Sequence, residues 1–204
     1  TESALTLARI SGISYSQAVN GITTALNSFS KEALTASEIT NKLIAVDTRF
    51  AVSSAQLNEA LTRVGSSAEE SGISIDKLIA TVTAAQQITG RGGAVIGNAL
   101  KTIFTRLQRP EVLSQLEQLG VAIKDQNGFL LDGISILKNY SDATKNLSQA
   151  EKARTAELVG GIYQINQVNA LIKDLSSSNS VYANSLSISN SATDEAKKKN
   201  EELN

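Results

Sequence analysis

Residues 74–107 read SIDKLIATVTAAQQITGRGGAVIGNALKTIFTRL, and this stretch decides the fold class. Both halves repeat apolar residues at the spacing of one helix face, and glycines separate them. We therefore predict a helical hairpin over 74–108, with the turn glycines Gly90, Gly92, Gly93 and Gly97. The stripes predict a face that packs against other protein, formed by Ile75, Leu78, Ile79, Val82, Val95, Ile96, Leu100, Ile103, Phe104 and Leu107.

The composition of the 204-residue chain agrees with a helical fold. Hydrophobic residues make up 41% of the chain, which is enough for a buried core, but aromatic residues make up only 4%. Ala, Leu, Ile and Val supply the apolar surface, and this suits helix-on-helix packing better than a sheet sandwich. We predict an all-α array of amphipathic helices joined by Gly-rich turns.

Helix starts are indicated by capping boxes, in which a Ser or Thr is followed three residues later by Glu or Gln. Because Ser and Thr are abundant here, some matches are expected by chance. The five candidates are Ser14 with Gln17, Thr35 with Glu38, Ser53 with Gln56, Ser67 with Glu70, and Ser148 with Glu151. Ser74 is expected to cap the helix of the first stripe, with Ile73 contacting Leu78 as a hydrophobic staple.

A further short helix is predicted beyond the hairpin, and the pattern of apolar residues changes after that helix ends. Pro110 suits the first position of a short helix, and Gly120 suits its left-handed end. Two apolar triplets at 121–123 and 129–131 flank a polar turn, which predicts one small β-hairpin with Asn127-Gly128 at its corner. Further helices are expected over 132–147, 148–159 and 161–175, the last with Ile162 in helical register.

Four units are predicted along the chain. Residues 1–34 form an N-terminal helical unit, 35–147 a core module, and 148–175 a further helical segment. Residues 176–204 form a Ser/Asn-rich hinge followed by a polar C-terminal helix or tail. The first unit is a candidate repeat of 61–90, since Ser-Gly-Ile-Ser occurs at 11–14 and again at 71–74; two ordinary caps that look alike are the alternative.

Several functional classes are excluded by absence. The chain has no His and no Cys, so it lacks the usual zinc ligands, thiol or imidazole catalysts and disulfides. No long apolar run is present, and we expect a soluble segment with neither signal peptide nor membrane span. Because Met is absent and the chain starts at Thr1, we expect a piece of a longer polypeptide.

The glycine-rich stretch at 90–97 invites comparison with a phosphate-binding loop. Gly92 and Gly97 have the right separation, but Asn98 and Ala99 stand where Lys and Ser or Thr would contact phosphate and magnesium. Carboxylate pairs such as Glu69-Glu70 lie in polar stretches that we expect to be exposed, and these do not provide the environment that a general acid requires. We expect no enzyme activity, no catalytic residues, no cofactor and no metal.

Charge is balanced over the whole chain, with 19 basic and 20 acidic residues, but it is uneven locally. No Asp or Glu lies between Asp76 and Glu111. This span can meet DNA phosphates, although a solvated or protein-contacting helix face is the commoner explanation and no aromatic residues are interleaved. The candidate basic contact face is Lys77, Arg91, Lys101, Arg106 and Arg109.

Larger pieces of the sequence resemble a known family. The runs 64–74, 78–80 and 92–107, and then Leu119-Gly120-Val121 with Asp125 and Gly128, resemble the core of tape measure proteins from long-tailed phages and prophages. The resemblance covers residues 35–175 and depends on the order of the pieces.

The resemblance implies a mostly helical scaffold that sets tail-tube length and leaves the tube ahead of the DNA at infection. It implies a virion protein of the tail lumen, present in the host cytoplasm during assembly. Implied partners are copies of itself and tail-tube, tail-tip or assembly-chaperone proteins, with transient DNA contact. The alternatives are a helical DNA- or protein-binding module that uses 77–109 and, less favoured, a cell-wall hydrolase domain of the kind some tape measure proteins carry.

Overall fold

Eleven α-helices make up most of residues 2–192, the part of the chain that the computed structural model describes. The all-α prediction is confirmed. Two short 3-10 turns lie at Ser30–Glu32 and Ile162–Gln164. The helices are α1 Glu2–Ser11, α2 Tyr15–Ser28, α3 Ala36–Arg49, α4 Ser54–Glu70, α5 Ile75–Thr89, α6 Gly93–Leu107, α7 Pro110–Gln118, α8 Gly133–Thr144, α9 Gln149–Gly160, α10 Ile165–Leu175 and α11 Val181–Asn190.

Local capping determines where most of these helices begin. The reciprocal capping boxes at Ser14, Thr35 and Ser148 are confirmed, and the Ser53 hydroxyl accepts a hydrogen bond from the Gln56 backbone. The prediction at Ser67 is wrong, because this residue lies inside α4. Its backbone is already helical there, so the Ser-x-x-Glu pattern has no helix start to cap.

Helix α5 occupies the centre of the bundle. It packs mainly against α11 and also contacts α4 and α10, while α6 packs mainly on α4. The turn predicted between the two stripes is present. However, α5 and α6 do not pack mainly on each other as in a simple hairpin, since each has its largest contact with another helix. An apolar stripe requires burial without specifying which helix supplies it.

The loop after α7 contains only a small part of the predicted β-hairpin. Gly120 has φ +80 and ends α7 as expected. A single antiparallel bridge joins Lys124 and Leu130. Within residues 2–192, the structure contains no β-strand longer than this bridge. The Asp125 carboxylate accepts hydrogen bonds from the backbone N–H groups of Asn127 (2.8 Å) and Phe129 (2.9 Å), which ties the corner together. Gly128 has φ +86, as the predicted corner requires.

The C-terminal part departs from the prediction in two places. The helix expected over 161–175 begins at Ile165, after the 3-10 turn, and the expected hinge at 176–191 contains helix α11. Contact with α5 and α3 overrides the weak helix propensity of its Ser and Asn residues. The predicted polar tail at 194–204 lies outside the described residues.

One hydrophobic cluster extends from Ala4 in α1 to Leu175 in α10, so the predicted units share a core. The division into units stays a prediction, as does the internal repeat. The two Ser-Gly-Ile-Ser turns nevertheless have the same backbone geometry, with φ +69 at Gly12 and +70 at Gly72. Ser14 and Ser74 each cap the helix that follows.

Candidate protein-contact site

The predicted packing face is largely inside the protein. Its four α5 residues are buried, and so are the α6 residues Ile96, Leu100, Ile103, Phe104 and Leu107. The stripes do pack, but other helices of the same chain cover them. Only Val95, whose exposed fraction is 44%, remains on the surface to meet another protein.

The middle of helix α5, from Leu78 to Ala85, is buried on all sides because the residues between its stripe positions are small, whereas Gln87 and Ile88 near its end are exposed. Ala80, Thr83 and Ala84 are as inaccessible as the predicted stripe. The Thr83 hydroxyl donates to the Ile79 carbonyl at 2.8 Å, so its burial leaves no polar group without a partner. The sequence signal for this central position is the lack of charged residues in 78–89, since a helix without a charged face can be buried all round. The prediction of a single apolar face did not take this into account.

The four turn glycines divide into two pairs. Gly90 ends α5 with φ +66 and Gly92 caps the start of α6, so these two lie in the turn. Gly93 and Gly97 belong to α6, where they allow it to cross α4 closely. A Cβ atom at Gly93 would lie 2.0 Å from the Gln56 carbonyl oxygen, and one at Gly97 would lie 3.0 Å from the Cα of Ala60.

Two of the five predicted basic contact residues have partners within the chain. Lys77 Nζ donates to Asp132 Oδ2 at 2.8 Å. Burial alone would raise the pKa of Asp132, but hydrogen bonds from Lys77 and Ser135 outweigh it and hold the pKa below its ordinary value. Arg106 Nε donates to the Leu158 carbonyl at 3.0 Å and so satisfies the C-terminal end of α9.

Arg91, Lys101 and Arg109 are exposed. The basic face is thus reduced to three separate cations on or beside α6. Binding to DNA through these residues stays a prediction.

An exposed surface forms where the outer side of α6 meets the 3-10 turn at 162–164. Ile162 is 68% exposed and Tyr163 is 90% exposed. They border an open groove of about 400 Å³ whose walls include Thr102, Arg106 and Glu157. We call this the α6–turn surface; Val95 and Lys101 lie on the exposed side of the same helix.

This surface was not predicted, because the spacing of Ile162 matches the buried register of a helix over 161–175. The sequence signal that indicates a helix break here is the glycine pair Gly160-Gly161. Gly161 has φ +71 and ψ +169, a conformation that ends α9 and turns the next two side chains outward. Aromatic residues are enriched at protein interfaces, so the exposed Tyr163 makes this surface a candidate contact site.

Within residues 2–192, no group of three or more potential ligands is placed to hold a metal ion. None of the helices in the same range combines the length and the hydrophobicity that a membrane span requires. Three groups with shifted pKa values have structural partners. Glu38 and Glu151 accept hydrogen bonds at helix starts, and Tyr140, whose pKa is raised by burial, makes a hydrogen bond with Thr155.

The family model for phage-related minor tail proteins matches residues 1–161. The chain belongs to this family. Membership gives this minor tail protein a structural role in the phage tail and associates it with the virion. The matched range covers α1 to α9 and ends at Gly161, beside the α6–turn surface. No solved structure matches the chain.

Proposed function

We propose that this minor tail protein is a compact module of a tape measure protein, the scaffold around which tail-tube subunits polymerise. Two observations support the proposal: the family match over 1–161 and the resemblance of 35–175 to the tape measure core. The proposal includes the tail lumen as its location, synthesis in the host cytoplasm, and release ahead of the DNA at infection.

The compact fold is the reason to propose a folded module and not an extended helix whose length sets the length of the tail. A continuous helix of 204 residues would be about 300 Å long, because each residue adds about 1.5 Å. The longest described helix, α4, has 17 residues and spans about 26 Å. A folded chain of this size has a radius of gyration of about 17 Å. The segment therefore contributes little to a length measurement and serves to hold other tail components.

An in-frame deletion of the segment from the longer tape measure chain tests this proposal. We expect tail length, measured by electron microscopy, to change by far less than the ~300 Å that an extended helix of this length would span. The control deletes an equal number of residues from an uninterrupted helical part of the same chain and should shorten the tail by about 300 Å.

The two deletions have distinct outcomes. Shortening by about 300 Å on deletion of the segment would show that it is part of the ruler. No shortening from either deletion would overturn the tape measure proposal itself.

The α6–turn surface is the proposed contact with other tail proteins, such as tail-tube subunits. Truncating Tyr163 to Ala should weaken binding by about 1–2 kcal/mol, since exposed aromatic residues act as anchors at interfaces. The fold should tolerate this change, because Tyr163 is 90% exposed. Leu5→Ala is the matched control, an exposed apolar residue on α1. Equal crosslinking of both variants to tail-tube subunits would contradict the assignment.

We also propose that the chain catalyses no reaction itself. The lack of His and Cys and the structural use of its shifted carboxylates support this. A turbidity assay on bacterial cell walls should show no clearing by the purified chain. Clearing above that of a heat-denatured sample would revive the hydrolase alternative.

A further inference from the structure

The guanidinium of Arg106 is held in place by the last turn of α9. Its Nε donates to the Leu158 carbonyl at 3.0 Å, and its Nη2 donates to the Glu157 carbonyl at 3.3 Å. Both carbonyls lie where the hydrogen bonding within the helix ends. The two contacts use one edge of the planar guanidinium, formed by the Nε–H and the adjacent N–H of Nη2. The side chain is therefore oriented by the protein's own fold.

The other edge of this guanidinium is unused. Two of its five N–H groups donate to α9, and no residue in 2–192 accepts from the remaining three, which belong to Nη1 and Nη2. The unused edge presents one N–H from each of these nitrogens, side by side. This geometry matches the two oxygens of a carboxylate, which can accept both hydrogen bonds at once.

The unused edge belongs to the groove of the α6–turn surface. Arg106 lines this groove together with Ile162 and Tyr163. Its Nη1 lies 3.8 Å from the position that a Cβ atom would take at Gly161, so this end of the guanidinium is next to the exposed turn. A segment that enters the groove therefore meets a cation and exposed apolar surface together.

The charges around the groove favour an anionic group on the α6 side. Helix α6 contains no acidic residue, and the exposed Lys101 lies next to Thr102, which lines the groove. The opposite wall, supplied by α9, carries the side chain of Glu157, whose backbone carbonyl is the group that Arg106 contacts. An entering carboxylate is thus attracted to α6 and repelled by α9, which favours one orientation in the groove.

We propose that this groove binds a segment of a tail protein in which an acidic residue stands beside an apolar one. The carboxylate accepts two hydrogen bonds from the free edge of Arg106, and the apolar side chain packs on Ile162 and Tyr163. Protein is favoured over DNA, because a row of phosphates would meet Glu157 and offers no apolar group to cover Ile162. The inference rests on the proposed role of this surface as a contact with tail proteins, and it adds the chemistry of the partner.

Arg106→Lys tests the paired hydrogen bonds while it keeps the positive charge. An ammonium group can still donate to the α9 carbonyls, but it cannot present two parallel N–H groups to one carboxylate. The affinity for tail-tube subunits should fall by about tenfold. Arg91→Lys is the matched control, since Arg91 is exposed and does not line the groove, and its affinity should equal that of the parent. Melting temperatures show whether both variants are folded.

Glu157→Gln tests the charge on the opposite wall. The substitution keeps the backbone carbonyl that Arg106 contacts and removes only the negative charge of the side chain. Binding should become about two- to fivefold tighter at low salt, and the gain should shrink as salt rises. A partner that enters the groove with a cation would bind this variant more weakly, which would contradict the inference.

Two small probes test the chemistry of the groove without a tail protein. Hexanoate joins a carboxylate to a short apolar chain, and hexylamine joins a cation to a similar chain. In an NMR titration of the isotope-labelled chain, hexanoate should shift the backbone amide signals of Gly161 and Tyr163, whereas hexylamine and a short DNA duplex should not. The shifts with hexanoate should be much smaller in Arg106→Lys.

The outcomes separate this inference from the proposed function. If Tyr163→Ala binds tail-tube subunits more weakly but Arg106→Lys and Glu157→Gln bind as the parent does, the surface is a contact site and the carboxylate inference is wrong. Hexanoate shifts that are absent, or equal in Arg106→Lys, would also overturn it, as would shifts caused by the DNA duplex. If the probes behave as expected but no variant changes tail-tube binding, the groove chemistry stands and the tail-tube contact is wrong.

Discussion

Replacing Gly93 by Ala should destabilise the protein although alanine is the better helix former. Gly93 is the first residue of α6, and an added Cβ would lie 2.0 Å from the Gln56 carbonyl oxygen and 2.8 Å from its carbonyl carbon. The closest ordinary C···O contacts are about 3.3 Å, so α4 and α6 must separate by more than about 1 Å. Both obstructing atoms belong to the backbone of α4 and cannot rotate away.

The magnitude follows from two opposing contributions. Overpacking of this kind costs up to about 3 kcal/mol. The gain in helix propensity returns at most about 1 kcal/mol. The net loss in the free energy of unfolding is about 2 kcal/mol, which lowers the melting temperature of a chain of this size by roughly 4–8 °C.

Thermal and urea unfolding followed by circular dichroism measure this loss. The urea midpoint should fall with an unchanged slope, since the surface exposed on unfolding is the same. Gly92→Ser is the matched control at the adjacent glycine. It has room for a side chain, and serine is a preferred N-cap, so its melting temperature should be equal to or above that of the parent. A Gly93→Ala protein as stable as the parent would refute the close crossing of α4 and α6.

Three further predictions concern single side chains and charge. Ser185→Ala should raise the free energy of unfolding by about 1 kcal/mol, because it removes a buried hydroxyl without a partner; a lower melting temperature would contradict this. The folded-state pKa of Asp132 is below its ordinary value of 3.8, so its stabilising contribution is present above pH 3.8 and is lost as the pH falls through the lowered value. Melting curves of the parent and Asp132→Asn should therefore converge in acid, and a constant difference would count against the Lys77 interaction. Because Arg91, Lys101 and Arg109 are the exposed part of the basic face, any DNA affinity should depend on salt with a logarithmic slope no steeper than about −3, as a fluorescence titration can show.

The local features of the fold were predictable from the sequence. A capping box involves atoms within three residues of each other, so the starts of α2, α3 and α9 could be identified without knowledge of the rest of the chain. The end of α7 at Gly120 has the same origin, since a left-handed residue there needs only its own turn. The spacing of apolar residues likewise predicted nine buried side chains of α5 and α6, although it also included the exposed Val95 and did not include the buried Ala80, Thr83 and Ala84.

The contact site could not be predicted in this way. The exposure of Ile162 and Tyr163 depends on a helix break that places them beside Arg106, which is 56 residues before Ile162 in the chain. Lys77 and Arg106 look like available cations in the sequence, but their partners Asp132 and Leu158 lie more than 50 residues away. An ionic or hydrogen-bonding partner at that separation is fixed by the way the helices assemble.

The sequence by itself determined that this protein is helical, where most helices start, and that the apolar stripes of α5 and α6 leave water, because these properties depend on hydrogen bonds within one turn and on apolar periodicity. Only the tertiary structure decided what covers each apolar stripe. The hydrophobic effect rewards burial without direction, so the same stripe can face another protein or, as for α5, be enclosed by the chain's own helices. The helical state of α11 was decided in the same way, because contact with α5 outweighs the weak propensity of its serines and asparagines.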